Sequence, residues 1–217
     1  VNRVTLTLPE ADVDVTSTNS VSTQRQDSTN ATVVTLLVAP GTDSWIGWKP
    51  RSRDVRREKA QFYAELTQLY VPTAGVIEGL HQVTIRPAQG EIGELLFDVP
   101  AGATITDATG VALWRFDPDS RKLRVTISPA QSKPFTIMIR SQAVTGTLPA
   151  EKSVGLISVN GAASQLGSAG IATGNEVQLD SVAAEGLAPV NLEDFPATAL
   201  EPLRGQISGL TLRRAFR

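Results

Sequence analysis

The chain of 217 residues contains no cysteine and only one histidine, His81. The absence of cysteine excludes disulfide bonds, thiolate zinc sites and cysteine nucleophiles together. A serine–histidine catalytic site would have to use this one imidazole as its general base. No motif in the sequence requires a cofactor, so we predict that the chain binds none and holds no metal.

Aromatic residues, long apolar runs and net charge are also scarce. Aromatic residues make up 5% of the chain, fewer than a stacking platform for sugars or bases would need. The longest largely apolar run, residues 33–39, is the length of a strand and far below the ~20 residues that span a bilayer. A net charge of −2 gives the chain no overall electrostatic attraction for DNA or anionic lipid. We therefore expect no nucleic acid partner and no transmembrane segment in this chain.

Short segments of alternating apolar and polar residues, separated by Pro and Gly turns, fill residues 76–141. Six such segments, with turns about every 8–12 residues, predict six consecutive antiparallel strands. The predicted fold class is all-β, and the predicted architecture is an antiparallel β-sandwich. An arrangement as two packed β subdomains stays open. One face of each strand should be buried, and the residues expected there are Val83, Ile85, Leu95, Phe97, Leu123, Val125, Ile127, Ile137 and Ile139.

Outside this block the pattern is less regular. Thr32–Val38 is β-branched and apolar, which favours a central strand. Ser17–Asn30 is rich in Ser, Thr, Asn and Gln, which favours a hairpin tip or a loop. Residues 60–71 fit a helix or a strand, and the Tyr, Thr and Val residues near the end favour the strand. Residues 183–202 mix acidic residues, Pro and scattered apolar residues, which predicts an irregular cover or a connection between domains.

We divide the chain into four parts on this basis. Residues 1–48 form an N-terminal β segment that is partly flexible, and residues 49–61 form a basic loop. Residues 62–145 form the main antiparallel sandwich. Residues 146–217 form a β and irregular segment that packs on it. The chain starts with Val and ends inside a predicted strand. We therefore expect it to be a piece of a longer protein.

Several short landmarks follow one another along the chain: Trp48–Pro50, Tyr63–Glu65, Val83–Ile85, Leu96–Pro100, Asp107–Gly110, Leu113–Trp114, Leu123–Val125 and Gly186–Val190. Their order resembles that of modules in large bacterial cell-envelope proteins of β-sandwich build. The resemblance covers roughly residues 45–195. It implies an extracytoplasmic scaffold or interaction module, in the periplasm or at the cell surface, and carries over no catalytic residue. Its partners would be other domains of a longer parent protein or other envelope proteins.

Charge is distributed unevenly along the chain. Residues 49–59 carry six basic and two acidic residues, whereas residues 141–203 carry one basic and seven acidic. Aromatic side chains stack on ligands and guanidinium groups bind phosphate or carboxylate, so a basic stretch beside tryptophans is a candidate binding surface. We favour contact within the protein or with a neighbouring domain over binding of an anionic polymer. The candidate binding residues are Trp45, Trp48, Arg51, Arg53, Arg56 and Arg57.

Three other patterns have functional and structural explanations, and we favour the structural one for each. Asp117–Ser120 and Asp12–Asp14 offer oxygen ligands for calcium, but neither is a complete calcium loop, and turn chemistry explains them. Gln165–Gly170 is rich in glycine, but it lacks the flanking strand, helix and Lys of a phosphate loop, which favours a flexible loop or bulged edge. Carboxylate pairs such as Glu91 and Glu94 leave a glycoside-processing domain as an alternative, beside a carbohydrate-binding module.

His81 shares a predicted strand face with Val83 and Ile85. No partner for the imidazole is visible nearby in the sequence. We therefore predict a structural histidine at a sheet edge or on a partly buried face. The chain as a whole is predicted to be non-catalytic.

Overall fold

The structure is a computed structural model that describes residues 1–10, 12–28, 30–41, 43–50 and 60–217. These residues belong to two units, Val1–Asp54 and Val55–Arg217. Strands dominate both units and almost all of them pair antiparallel. The predicted all-β sandwich class is confirmed.

The first unit contains two small sheets. Its strands are β1 (Asn2–Leu8), β2 (Val13–Ser17), β3 (Ser20–Ser28), β4 (Ala31–Val38) and β5 (Ile46–Pro50). One sheet has the order β1–β4–β3, and the other pairs β2 with β5. The apolar strand β4 is central, as predicted, and Val34, Leu36 and Val38 are buried at the centre of this unit's core.

The prediction of a loop over Ser17–Asn30 is wrong, because most of this segment forms β3. Strand β3 pairs with β4 on one side and has no strand on its other side among the described residues. Most of its side chains are exposed, so Ser, Thr and Gln meet no desolvation cost there. The main-chain ladder to β4 is what orders this polar edge strand.

The second unit is a sandwich of a six-stranded and a four-stranded sheet. Its strands are β6 (Gln61–Pro72), β7 (Val76–Gln89), β8 (Ile92–Asp98), β9 (Ala103–Thr109), β10 (Leu113–Asp117), β11 (Lys122–Gln131), β12 (Phe135–Val144), β13 (Ser158–Val159), β14 (Ser164–Thr173) and β15 (Thr211–Phe216). The large sheet has the order β15–β14–β6–β7–β12–β9. The small sheet has the order β10–β11–β8–β13.

Residues 76–141 form six strands, β7–β12, and all their mutual pairings are antiparallel. The nine side chains predicted to be buried on these strands are between 0% and 7% exposed. They lie in the core between the two sheets. The strand favoured for residues 60–71 is confirmed as β6, which pairs with β7 over its whole length.

Strand β14 corrects two predictions. It runs parallel to β6, so the sandwich is not purely antiparallel. It also contains the glycine-rich segment Gln165–Gly170, which is a regular strand segment and not a flexible loop. A Cβ on Gly167 would lie 2.9 Å from the carbonyl oxygen of Leu66, and one on Gly170 would lie 2.7 Å from Cζ of Phe195. Glycine is therefore needed for close approach within the sheet and to its cover.

The outer face of the large sheet is covered by the C-terminal segment, as the pattern of residues 183–202 predicts. Two short 3-10 turns, Leu192–Asp194 and Ala197–Ala199, lead into the single-turn helix α1 (Glu201–Arg204). Their apolar residues form a second core with Leu69, Val71 and Leu80. Residues 146–217 thus cover the sandwich and also contribute β13, β14 and β15 to its sheets. No helix in the described part of the chain combines the length and apolarity needed to cross a bilayer.

Candidate functional site

Three polar residues interrupt the inward-facing apolar series at one end of the large sheet. They are Gln68 on β6, His81 on β7 and Ser141 on β12, and they are 3%, 1% and 5% exposed. Gln68 lies directly opposite His81 in the β6–β7 register, and Ser141 lies opposite Gly79 in the β7–β12 register. The prediction of an edge or partly buried position for His81 is wrong, because β7 is flanked on both sides and the imidazole is fully buried.

The side-chain amide of Gln68 is held in one orientation by the main chain of Ile157. Nε2 of Gln68 donates to the carbonyl oxygen of Ile157 at 2.9 Å, and Oε1 accepts the N–H of Ile157 at 2.9 Å. The backbone groups have fixed roles, so they determine which end of the amide carries the oxygen. Gln68 therefore pairs with the segment before β13 as a neighbouring strand would.

This amide orientation determines the protonation of His81. Nδ1 of His81 lies 3.0 Å from Oε1 of Gln68, which can only accept, so Nδ1 carries the proton. In the neutral imidazole Nε2 is then the acceptor, and it lies 2.8 Å from Oγ of Ser141. Ser141 donates its hydroxyl proton to Nε2. The hydrogen bonds run from Ser141 through His81 to Gln68, and on to Ile157.

Tyr70 completes the network from the same strand as Gln68. Its hydroxyl donates to the carbonyl oxygen of Gly155 at 2.7 Å and lies 3.2 Å from Oε1 of Gln68. Its ring meets the imidazole of His81 edge to face, with the ring centroids 5.5 Å apart. Among the described residues, only Ser17 has a buried side-chain polar atom without a hydrogen-bond partner, so this network is satisfied throughout.

Burial sets the ionisation of both aromatic groups in the network. It lowers the pKa of His81 to about 3, because the charged imidazolium would lose its hydration. It raises the pKa of the Tyr70 phenol for the same reason, since the phenolate is its charged form. Both groups are therefore neutral at pH 7.

Gly79 leaves the space that Ser141 and His81 occupy. A Cβ at this position would lie 2.3 Å from Oγ of Ser141 and 2.6 Å from Nε2 of His81. Both distances are shorter than any normal contact, so no larger residue fits beside the pair. The hydrogen bond between Ser141 and His81 depends on a glycine on the neighbouring strand.

The order of Ser141, His81 and Gln68 matches a serine–histidine relay, with a neutral amide where a carboxylate usually stands. The surroundings do not match one. The cavity beside the pair has a volume of about 10 Å³ and is lined by residues such as Pro100, Ala103 and Val154. That volume is near the lower limit for one water molecule. A general base also works best with a pKa near the working pH, which burial of His81 prevents.

The predicted binding residues divide between described and undescribed parts of the chain. Trp45 and Trp48 lie in the first unit and are 63% and 58% exposed. The ring of Trp45 lies over Gly47, within 2.2 Å of where a Cβ would stand. Adjacent strand residues point to opposite faces, so Trp48 points away from that ring. The two indoles do not share one face of β5. Arg51, Arg53, Arg56 and Arg57 lie outside the described residues.

The calcium candidates have protein partners. Asp117 accepts the N–H of Asp119 at 3.1 Å and the hydroxyl of Ser120 at 2.6 Å, as a turn residue does. Both hydrogen bonds lower the pKa of Asp117, and the bond from Ser120 has the larger effect. The guanidinium of Arg25 contacts carboxylates of Asp12, Asp14 and Asp27 at 2.9, 3.2 and 2.7 Å. The described residues contain no cluster of three or more acidic or histidine side chains placed to hold a metal ion.

Sequence reasoning missed Gln68, Tyr70 and Ser141 as partners of His81. A signal was present, because Gln68 and Ser141 each take an inward position in an otherwise apolar strand series. Polar residues at such positions are hydrogen-bonded in most proteins. That Gln68, His81 and Ser141 lie at the same depth in the sheet follows only from the register of three strands. The sequence pattern does not provide that register.

Neither a protein-family model nor a curated protein matches the chain. Solved structures with partial likeness include the M1 zinc metallopeptidase from Deinococcus radiodurans, at 12% identity and a TM-score of 0.37. A mutant of that enzyme matches at 12% identity with a TM-score of 0.39. In both comparisons the match covers 72% of this chain and 38% of the metallopeptidase chain. At these scores the likeness indicates neither a family nor an activity.

Proposed function

We propose that this chain is a non-catalytic structural or interaction module of a bacterial cell-envelope protein, in an extracytoplasmic setting. The setting rests on the landmarks that resemble envelope modules. The proposed partners are other domains of a longer parent protein or other envelope proteins. The non-catalytic role rests on one observation in the second unit.

That observation is the use of the chain's one imidazole to hold the main chain in place. His81 bonds to Gln68, and Gln68 bonds to both main-chain groups of Ile157. Its other ring nitrogen is taken by Ser141. The cavity beside the pair holds no substrate-sized space. The group best suited to acid–base chemistry therefore serves the fold.

The first unit supports the interaction role. Trp45 and Trp48 are more than half exposed, and β5 pairs only with β2 among the described strands. Tryptophan is enriched among residues that dominate protein interfaces, and an open sheet edge is a ready template for another strand. We propose that the open edge of β5 contacts a neighbouring domain, with Trp48 on one face of the strand and Trp45, which immediately precedes it, on the other. The arginines at 51, 53, 56 and 57 would add a salt-sensitive part to that contact.

The test is binding of the full chain to isolated neighbouring modules and to envelope fractions, at low and high salt. We expect Trp45→Ala with Trp48→Ala to weaken binding about tenfold or more, as loss of interface tryptophans does. The matched control is Val21→Ala, which removes an exposed apolar side chain from β3 of the same unit. Neutralising the four arginines together should weaken binding at low salt and leave the thermal midpoint nearly unchanged.

Two results would overturn the proposal. One is binding by the tryptophan variant that equals binding by the parent chain. The other is saturable binding of purified envelope polysaccharide by the parent that the tryptophan variant loses, which would establish a carbohydrate-binding module instead.

A further inference from the structure

Strand β15 carries a bulge that places two arginines on one side. Ile171 of β14 pairs with Arg214, and the next residue, Ala172, pairs with Leu212. Arg213 is therefore an extra residue in the ladder. A bulge redirects side chains that would otherwise alternate. Arg213 and Arg214, although adjacent in sequence, line the same cavity.

This cavity is a groove between β15 and the segment that follows β14. Its volume is about 490 Å³, within the range of about 300–1,000 Å³ typical of small-molecule sites. The opposite wall is formed by Gly174, Asn175 and residues 177–182. Polar side chains of Asn175, Gln178 and Ser181 line it together with the apolar side chains of Val177, Leu179 and Val182.

The guanidinium of Arg213 is oriented by a buried partner. Its Nε donates to Oγ1 of Thr173 at 2.9 Å, and Thr173 is only 1% exposed. This bond uses one donor and leaves the two terminal nitrogens of Arg213 for a ligand. Arg214 donates from Nη1 to the carbonyl oxygen of Arg213 at 3.0 Å.

Neither arginine forms an ion pair with a carboxylate in the described part of the chain. Asp180 is the one acidic residue among those that line the groove, and it forms no ion pair with either arginine. The groove thus holds two guanidinium charges against one carboxylate. Its charge balance favours an anion, and its size favours an anion attached to a larger molecule.

We propose that this groove binds the phosphoryl group of a small molecule. One guanidinium matches a planar carboxylate with two parallel hydrogen bonds. Two guanidinium groups on a bulge supply donors from more than one direction, which suits the several oxygens of a tetrahedral phosphoryl group. The apolar and amide side chains of residues 175–182 would contact the rest of the ligand. This site is separate from the buried network and from the tryptophans of the first unit.

The test is titration of the ¹⁵N-labelled full chain with inorganic phosphate at constant ionic strength, followed by NMR. A parallel titration with acetate separates phosphoryl from carboxylate recognition. The variants are Arg213→Gln and Arg214→Gln, with Arg86→Gln as the charge-matched control. Arg86 is an exposed arginine on β7 that lies outside the groove. Thr173→Val tests the orientation of Arg213 without changing the charge.

We expect saturable shifts in the Nε–H signals of Arg213 and Arg214 and in the amides of residues 173–182. Binding should weaken about tenfold or more in each arginine variant, because each loses a charged donor pair, and should persist in Arg86→Gln. Thr173→Val should weaken binding while preserving the fold by circular dichroism. Absence of saturable shifts, equal affinity for acetate, or equal loss in Arg86→Gln would overturn the proposal.

Discussion

Gln68 and Ile157, 89 residues apart in the chain, exchange two hydrogen bonds of 2.9 Å each. A side-chain amide here takes the place of a strand's main chain. This allows the segment before β13 to cross the end of the large sheet with both main-chain groups of Ile157 hydrogen-bonded. The same amide orients His81, and His81 receives the hydroxyl of Ser141. The sandwich end is closed by polar contacts where the rest of the core is apolar.

Replacing Gln68 with Leu should destabilise the chain strongly. The change leaves the N–H of Ile157 and Nδ1 of His81 buried without an acceptor, and each unpaired group costs about 1–3 kcal/mol. We expect the free energy of unfolding in urea to fall by about 2–4 kcal/mol. Gln142→Leu is the control, because Gln142 is exposed on β12 of the same sheet. Equal stability of the two variants would show that the amide carries no such role.

Stability should depend on pH through His81. Its pKa is about 3 in the folded chain and near 6.5 when unfolded. Between these values unfolding takes up a proton, so the stabilisation is complete above pH 6.5 and is lost as the pH falls. The contribution changes by up to about 1.4 kcal/mol per pH unit in this window. His81→Gln should remove this pH dependence. The measurement is the difference in unfolding free energy between the parent chain and His81→Gln, followed from pH 5 to 6.5. Parallel curves for both chains would contradict the burial of a neutral imidazole.

Tyr70→Phe removes the hydrogen bond to Gly155 and keeps the ring. We expect a loss of about 1–2 kcal/mol, since the carbonyl oxygen of Gly155 loses its donor. The amide of Ile157 should exchange its hydrogen faster, because the segment before β13 is held less firmly. Tyr63→Phe is the matched control, with Tyr63 half exposed on the same strand. The interpretation fails if both variants exchange this amide as slowly as the parent.

The apolar strand pattern was predictable because alternation depends only on neighbours in the chain. Val83, Ile85 and the other inward residues of β7–β12 could therefore be named from sequence. Strand β14 could not be predicted from sequence. Its glycines are needed because Leu66 and Phe195, from distant segments, approach the strand closely. The polar network could not be predicted for the same reason, since His81 and Ser141 are 60 residues apart in the chain. The arginine groove depends on a bulge, which appears only in the pairing of β14 with β15.

Gly79→Ala should destabilise the pair directly beside it. The added methyl group would overlap Ser141 and His81, and overpacking of this kind costs about 1–3 kcal/mol. Gly93→Ala is the control on β8, where the nearest atom to a Cβ is 3.7 Å away. Urea unfolding should show a loss for the first variant and no more than a small change for the second. A similar effect of both would indicate that the space beside Ser141 is not tightly filled.

We propose a structural and non-catalytic role for Ser141 and His81. Its most direct test is incubation of the folded full chain with a fluorophosphonate, a reagent that labels activated serines, followed by mass spectrometry of the peptide containing Ser141. A known serine hydrolase in the same reaction confirms that the reagent is active. We expect Ser141 to stay unmodified in the parent chain and in His81→Gln alike. Labelling of Ser141 in the parent that disappears in His81→Gln would contradict it.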